Sequence, residues 1–271
     1  YHDSIGVLPR WDAMYLTSGG AEPAYKAMLA NHAACGLGWF HMRRDAANGE
    51  VHRWSDTPRM SYGTTADDRY ATAADENHEA YYNWKASHMP QVGFLPYLAT
   101  GAKYWCDETI MLGVYAGQAL TVRGRAGTAQ TPSTDAEGLR MIVWEESALQ
   151  PRGAAWAHRA IACAACAAPD GHPNKQPFVD SMGNTARFIL DASVKGTSPL
   201  GGTFVNKLGI LPQNHHMGTP YGDDSLDTYV APAWMYAFWI AAIGYGWDLT
   251  EGHFNAQQRA DYLAARDSAY R

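Results

Sequence analysis

The chain has 271 residues, of which 46% are hydrophobic and 18% are charged, with a formal net charge of −6. This composition is sufficient for a sizeable core, and because no lysine- or arginine-rich run is present we expect no nucleic acid partner and no binding to an anionic membrane surface. No apolar stretch reaches the ~18 residues of a membrane-spanning helix, so we also expect no membrane insertion.

Apolar segments that end at a glycine are each followed, within a few residues, by a second apolar segment. The glycines are Gly19, Gly101 and Gly171. Glycine just beyond a helix end adopts the left-handed conformation at low cost, so this pattern predicts helical hairpins with short loops. The intervals between these glycines fit two hairpin units each.

Helical spacing of apolar residues predicts further helices over residues 91–99, 152–168 and 256–270, and another that Pro232 opens. Because strand alternation and Asn-Gly turns between apolar runs are missing, we expect an all-α fold of about eight or nine helices. We expect residues 1–271 to form a single domain. The chain begins at Tyr1 and stops within a helical pattern, so we expect a fragment of a longer protein.

Two stretches interrupt the helical pattern: residues 45–83 are polar and rich in Gly, Thr and Ala taken together, and residues 196–229 carry six Gly and three Pro. Long loops in a compact domain are usually functional or disordered, and we interpret these two as functional because they contain His, Asp and Tyr. The chain has four cysteines, and Cys163 and Cys166 form a CxxC within an alanine-rich segment. We interpret this pair as core packing rather than as a metal or redox site.

The aromatic content is high, with ten Trp, sixteen Tyr and seven Phe. Trp and Tyr bury a large area and keep a polar edge, which suits a groove in which sugar rings stack. The alternative is a large helical core that needs bulky side chains.

The first cluster of candidate residues lies just before a predicted core helix, and its central member is His88, two residues before Pro90. A histidine here would act as a base or as a donor to a carboxylate, or it would cap the helix. Sugar contact and ordinary packing are both open for its aromatic residues. The other members are Asn77, His78, Tyr82 and Trp84.

The second cluster is Arg152, Trp156 and Arg159, whose spacing of i, i+4 and i+7 places them on one helix face. An arginine fork binds a carboxylate through two hydrogen bonds, and a uronic acid carries a carboxylate. Trp156 between them would provide a stacking surface. The alternative is a structural salt bridge to Glu145, Glu146 or an Asp.

The third cluster lies in a Gly/Pro-rich loop and suits the rim of an active site. Its members are Asn214, His215, His216, Tyr221, Asp223 and Asp224. A divalent cation is conceivable here, but the spacing matches no established site, so we predict no metal and no other cofactor. The acidic pattern also fits the DDxxD motif of terpene synthases, in which the acids lie on a helix. Pro220 and Gly222 immediately precede the acids here, which argues against that interpretation.

Several phrases resemble those of bacterial (α/α)-toroid proteins of carbohydrate metabolism. They are Ser87-His88-Met89-Pro90 leading to the phrase at 95–101, then residues 152–159, then residues 231–238. The resemblance is to the toroid domains of polysaccharide lyases, including rhamnogalacturonan lyase-like proteins. It implies an (α/α) toroid of helical hairpins, here an incomplete one, and a polysaccharide or oligosaccharide partner. The hairpin phrase around Gly101 specifies the fold better than the reaction.

The resulting hypothesis is a polysaccharide lyase that cleaves a uronate-containing glycan by β-elimination, in a secreted or periplasmic protein. His88 or His215 would be the base, Arg152 and Arg159 would bind the uronate carboxylate, and Tyr82 or Tyr221 would donate the proton. Trp84, Trp156 and Trp234 would line the groove. Two alternatives stay open: a glycoside hydrolase on the same fold, using a pair among Asp75/Glu76, Glu145/Glu146 and Asp223/Asp224, and a non-catalytic glycan-binding toroid.

Overall fold

The computed structural model describes residues 6–37, 41, 50–54, 89–118, 151–190 and 233–270. Within these ranges the chain forms eight α-helices, one 3-10 helix and no β-strand, so the predicted all-α class is confirmed. The helices are α1 (Arg10–Thr17), α2 (Glu22–Cys35), α3 (Phe94–Thr100), α4 (Lys103–Gln118), α5 (Pro151–Ala167), α6 (Lys175–Ile189), α7 (Ala233–Thr250), the 3-10 helix Glu251–His253 and α8 (Ala256–Ala269).

The predicted glycine turns are confirmed. Gly19, Gly101 and Gly171 have φ angles of 67°, 67° and 82°, which lie in the left-handed region, and they follow α1, α3 and α5. In each case the next helix packs against the one before it. The chain therefore forms the helical hairpins α1/α2, α3/α4 and α5/α6.

A fourth hairpin, α7/α8, has a different connection. The 3-10 helix follows α7 directly, and Asn255 then caps the start of α8. The Asn255 side chain accepts a hydrogen bond from the Gln258 N–H at 2.9 Å, while the Gln258 side chain accepts one from the Asn255 N–H at 3.0 Å. This reciprocal capping box satisfies two backbone donors at the start of the helix.

Helix α5 is the centre of the core, because it packs against α4, α6 and α7 and is buried around nearly its whole circumference. Its many alanines allow close approach, and the Cβ atom of Ala164 lies directly against Gly113 of α4. Cys163 is a fully buried free thiol, and burial raises its pKa well above the ordinary value. The interpretation of Cys163 as a core residue is therefore confirmed.

The hairpins α5/α6 and α7/α8 stack side by side in the same orientation. Arg152 and Trp234 are in contact at the starts of α5 and α7, and Cys163 and Tyr245 are in contact further along the same two helices. In the second layer, Gln258 of α8 binds Asp180 of α6 at 2.9 Å, and Asp261 binds Arg187 at 3.1 Å. Two-layer stacking of hairpins is the repeat expected of an (α/α) toroid, whereas closure around a central axis stays a prediction.

The two ends of the stack differ. At the turn end, the thiol of Cys106 near the start of α4 contacts the Ala167 carbonyl at the end of α5, at 3.4 Å. Lys103 and His172, from the α3/α4 and α5/α6 hairpins, line one cavity there. The starts of α5 and α7 lie at the opposite end, which we call the open end because Trp234 there is 44% exposed. In the sequence, residues 119–150 precede α5 and residues 191–232 precede α7.

Candidate functional site

The guanidinium group of Arg152 lies between two tryptophans at the open end. Its central carbon is 5.9 Å from the ring centre of Trp156 and 5.7 Å from that of Trp234. Trp156 is fully buried, whereas Trp234 is 44% exposed. Partial burial lowers the pKa of Arg152 from its ordinary value, but an arginine still carries its charge at neutral pH. The site thus combines a cation with an accessible aromatic ring.

The local sequence explains this arrangement. Arg152 and Trp156 are four residues apart on α5 and therefore lie on one face, as their spacing predicts. Trp234 is the second residue of α7, and because α5 and α7 run in the same direction, the two helix starts meet. Cation–π contacts of this kind stabilise by about 0.5–2 kcal/mol, depending on exposure.

Arg159, seven residues further along α5, is fully buried. Its Nη1 donates to the Gly6 carbonyl, its Nη2 donates to the Met89 carbonyl at 3.1 Å, and its guanidinium lies 5.9 Å from the ring centre of Phe238. Burial lowers its pKa to about 10, against the opposing influence of nearby groups that include Asp12. The guanidinium that was predicted to bind substrate is enclosed in the core and holds two backbone segments.

Trp156 is also enclosed, with its ring edge-on to Phe238 at a centroid distance of 6.2 Å. A sugar ring has no access to a side chain with 0% exposure. The predicted shared face of α5 is therefore present, but it points into the interface with α7. Of its three predicted members, Arg152 alone is only partly buried.

The remaining predicted site residues lie outside the described residues, and their roles stay predictions. They are Asn77, His78, Tyr82, Trp84, His88, Asn214, His215, His216, Tyr221, Asp223 and Asp224. Met89 directly follows His88 in the sequence, and Arg159 donates to the Met89 carbonyl. Trp234, at the start of α7, lies beside Arg152. Met89 and Trp234 therefore each contact an arginine on the same face of α5.

Sequence reasoning missed a buried pair formed by Asp12 and His32. The His32 Nε2 lies 2.7 Å from an Asp12 carboxylate oxygen, and both side chains are essentially inaccessible. The Gly93 N–H donates to the His32 Nδ1 at 2.9 Å. Since Nδ1 accepts, Nε2 carries the proton and donates to Asp12. The three groups join α1, α2 and the start of α3, and no motif in the sequence marks them.

A second missed pair is His41 with Glu108. The His41 Nε2 lies 3.0 and 2.8 Å from the two carboxylate oxygens of Glu108, which is 3% exposed, while His41 is 35% exposed. A partly accessible imidazole oriented by a buried carboxylate is a common arrangement for a general base.

The structure does not bring this pair together with Arg152. Glu108 lies half a turn along α4 from Cys106, which contacts the Ala167 carbonyl. Ala167 is fifteen residues from Arg152, or about 22 Å along α5. The two candidate sites are therefore at different ends of the helix stack.

Among the described residues, no group of three or more His, Cys, Asp or Glu side chains is placed to hold a metal ion. None of the described helices has the length and hydropathy needed to cross a membrane. Comparisons with protein-family models, curated proteins and solved structures found no match. The resemblance to toroid lyases therefore rests on the sequence phrases alone.

Proposed function

We propose that this protein is a polysaccharide lyase that cleaves a uronate-containing glycan by β-elimination, with its substrate bound at the open end. The observation that carries the proposal is the Arg152 guanidinium, 5.7 Å from the ring centre of the 44% exposed Trp234. An acidic sugar needs a donor fork for its carboxylate and an aromatic ring against its apolar face. In this hypothesis Arg152 is the cation that binds the carboxylate and Trp234 is the exposed ring.

The connectivity adds support. Residues 191–232, which contain the predicted base His215 and the predicted proton donor Tyr221, end directly before α7. The other candidates, Tyr82 and His88, precede Met89, whose carbonyl is bound on the same face of α5. The first set is thus joined by the chain to Trp234, beside Arg152, and the second to Met89, beside Arg159 two turns further along α5.

The reaction needs three groups. A histidine, His88 or His215, removes the proton at C5 of the uronate, and Arg152 stabilises the negative charge that develops on the carboxylate. The C4–O bond then breaks as the C4–C5 double bond forms, and Tyr82 or Tyr221 gives a proton to the leaving oxygen. Arg159 remains in the core and contributes by holding the Met89 backbone.

The experiment is an absorbance assay on pectic, alginate-like and glycosaminoglycan substrates, because the new double bond absorbs ultraviolet light. We expect an absorbance rise with at least one of them. Reducing sugar released without an absorbance rise would indicate a hydrolase instead. Binding without turnover would indicate a non-catalytic glycan-binding protein, and either result would overturn the proposal.

A further inference from the structure

We infer that the groove between α7 and α8 is a second glycan-binding site, which takes neutral sugar units of the glycan whose acidic unit binds Arg152; this inference rests on the proposed function. The groove is open and has a volume of about 610 Å³, which lies within the usual range for small-molecule sites. Its lining includes Gly244, Tyr245, Asp248, Arg266, Asp267 and Tyr270.

The chemistry of the lining suits a polyhydroxylated ligand. Asp248 and Asp267 are exposed carboxylates, which accept hydrogen bonds from sugar hydroxyls. The ring of Tyr270 is 60% exposed and offers an apolar face beside a hydroxyl group. The lining thus provides both hydrogen-bond acceptors and an aromatic ring, which neither a purely apolar groove nor a cluster of carboxylates would provide.

The charge of the groove selects against an acidic sugar. Among the described residues, its lining carries the two carboxylates and one arginine, Arg266, whose Nη2 lies 3.0 Å from an Asp267 oxygen. The guanidinium of Arg266 also lies 5.3 Å from the ring centre of Trp247, and these two contacts hold it in place. A net negative lining repels a uronate carboxylate, whereas a neutral sugar has no such penalty.

Gly244 of α7 lies directly against the hydroxyl group of Tyr270 at one side of the groove. A Cβ atom there would lie 2.6 Å from the Tyr270 hydroxyl, which is too close for both groups to keep their positions. Glycine inside a helix costs about 1 kcal/mol relative to alanine. The glycine allows the Tyr270 hydroxyl to approach the α7 backbone closely.

The groove and the Arg152 site lie along one face of α7. Trp234, Ala237, Ala241 and Asp248 are all exposed, and their spacing of three, four and seven residues places them on the same side of the helix. Fourteen residues separate Trp234 from Asp248, which corresponds to about 21 Å. A linear glycan of several sugar units can therefore contact Trp234 with one end and the groove with the other.

The test is calorimetric titration of the whole chain with two probes, a neutral tetrasaccharide (cellotetraose or a galactose tetramer) and trigalacturonate. We expect a neutral probe to bind, and we expect Asp248→Asn and Tyr270→Ala each to weaken it at least tenfold without a change in trigalacturonate affinity. The matched controls are Asp170→Asn and Tyr104→Ala, which alter exposed residues at the turn end.

Three results would overturn the inference: no binding of either neutral tetrasaccharide, equal weakening by the control variants, or loss of neutral-sugar binding with Arg152→Ala but not with the groove variants. The lyase proposal fails separately, through the absence of new absorbance. If Tyr270→Ala weakens neutral-sugar binding but the protein has no lyase activity, the groove is a binding site and the lyase proposal is wrong.

Discussion

Arg152 and Arg159 lie two turns apart on one face of α5, yet their surroundings are opposite. Arg159 is fully buried and donates to two backbone carbonyls, whereas Arg152 is only partly buried and stacks beside the exposed Trp234. The difference arises because α7 covers the middle of α5 but begins level with its start. One arginine is therefore expected to serve stability and the other to serve binding.

The largest expected effect is on stability, from Arg159→Met. This variant leaves the Gly6 and Met89 carbonyls without their buried donor, and we expect the free energy of unfolding to fall by about 3–5 kcal/mol. Chemical denaturation measures the change. The control is Arg187→Met, which removes an exposed ion pair with Asp261 at 3.1 Å and should cost less than about 1 kcal/mol. Equal losses in the two variants would contradict a structural role for Arg159.

We expect low pH to destabilise the folded protein through His158, which is next to Arg159 on α5. His158 is fully buried beside the Tyr262 hydroxyl at 2.6 Å, and burial lowers its pKa from 6.5 to about 4. Below pH 6.5 the unfolded chain therefore binds a proton that the folded protein does not. Stability from this residue is complete above pH 6.5 and falls by about 3 kcal/mol as the pH approaches 4.

His158→Gln removes the titrating group, so its stability should depend less on pH between 6.5 and 4 than that of the unaltered protein. Urea unfolding at several pH values gives both curves. Parallel curves would show that His158 does not contribute to acid unfolding.

A smaller effect is expected where the core meets the start of α3. Gly93 has a φ of 82°, and a Cβ atom there would lie 2.5 Å from the Trp105 carbonyl oxygen. Gly93→Ala should therefore be less stable than Gly101→Ala by about 2 kcal/mol, since Gly101 has a similar φ but open space around it. Thermal unfolding of the two variants tests this. Equal melting temperatures would show that the close contact between residue 93 and the Trp105 carbonyl does not affect stability.

Local features of the fold were predictable from the sequence, and long-range ones were not. Gly19, Gly101 and Gly171 marked the ends of helical segments because a left-handed residue is a local requirement. The spacing of Arg152 and Trp156 likewise fixed their common face. Burial of that face depends on α7, which is some eighty residues away in the sequence, so spacing alone could not separate Arg159 from Arg152.

The same limit explains the missed histidines. Asp12 and His32 lie on different helices, and His41 and Glu108 are 67 residues apart in the sequence. Such pairs have no spacing signature, because only the packing of the hairpins brings them together. His88 and His215 were predicted as site residues because of their polar neighbours in the sequence. Their position relative to Arg152 stays a prediction.

The two arginines are expected to have different roles, and the most direct test is the absorbance assay with Arg152→Gln. Chemical denaturation of the same variant is performed in parallel. We expect kcat/KM on the best uronate polymer to fall at least 100-fold, the size of effect associated with one lost charge-stabilising donor. The free energy of unfolding should fall by only about 2 kcal/mol, from the lost cation–π contacts, which is less than the loss expected for Arg159→Met. Unchanged kcat/KM in a stable Arg152→Gln protein would contradict the account.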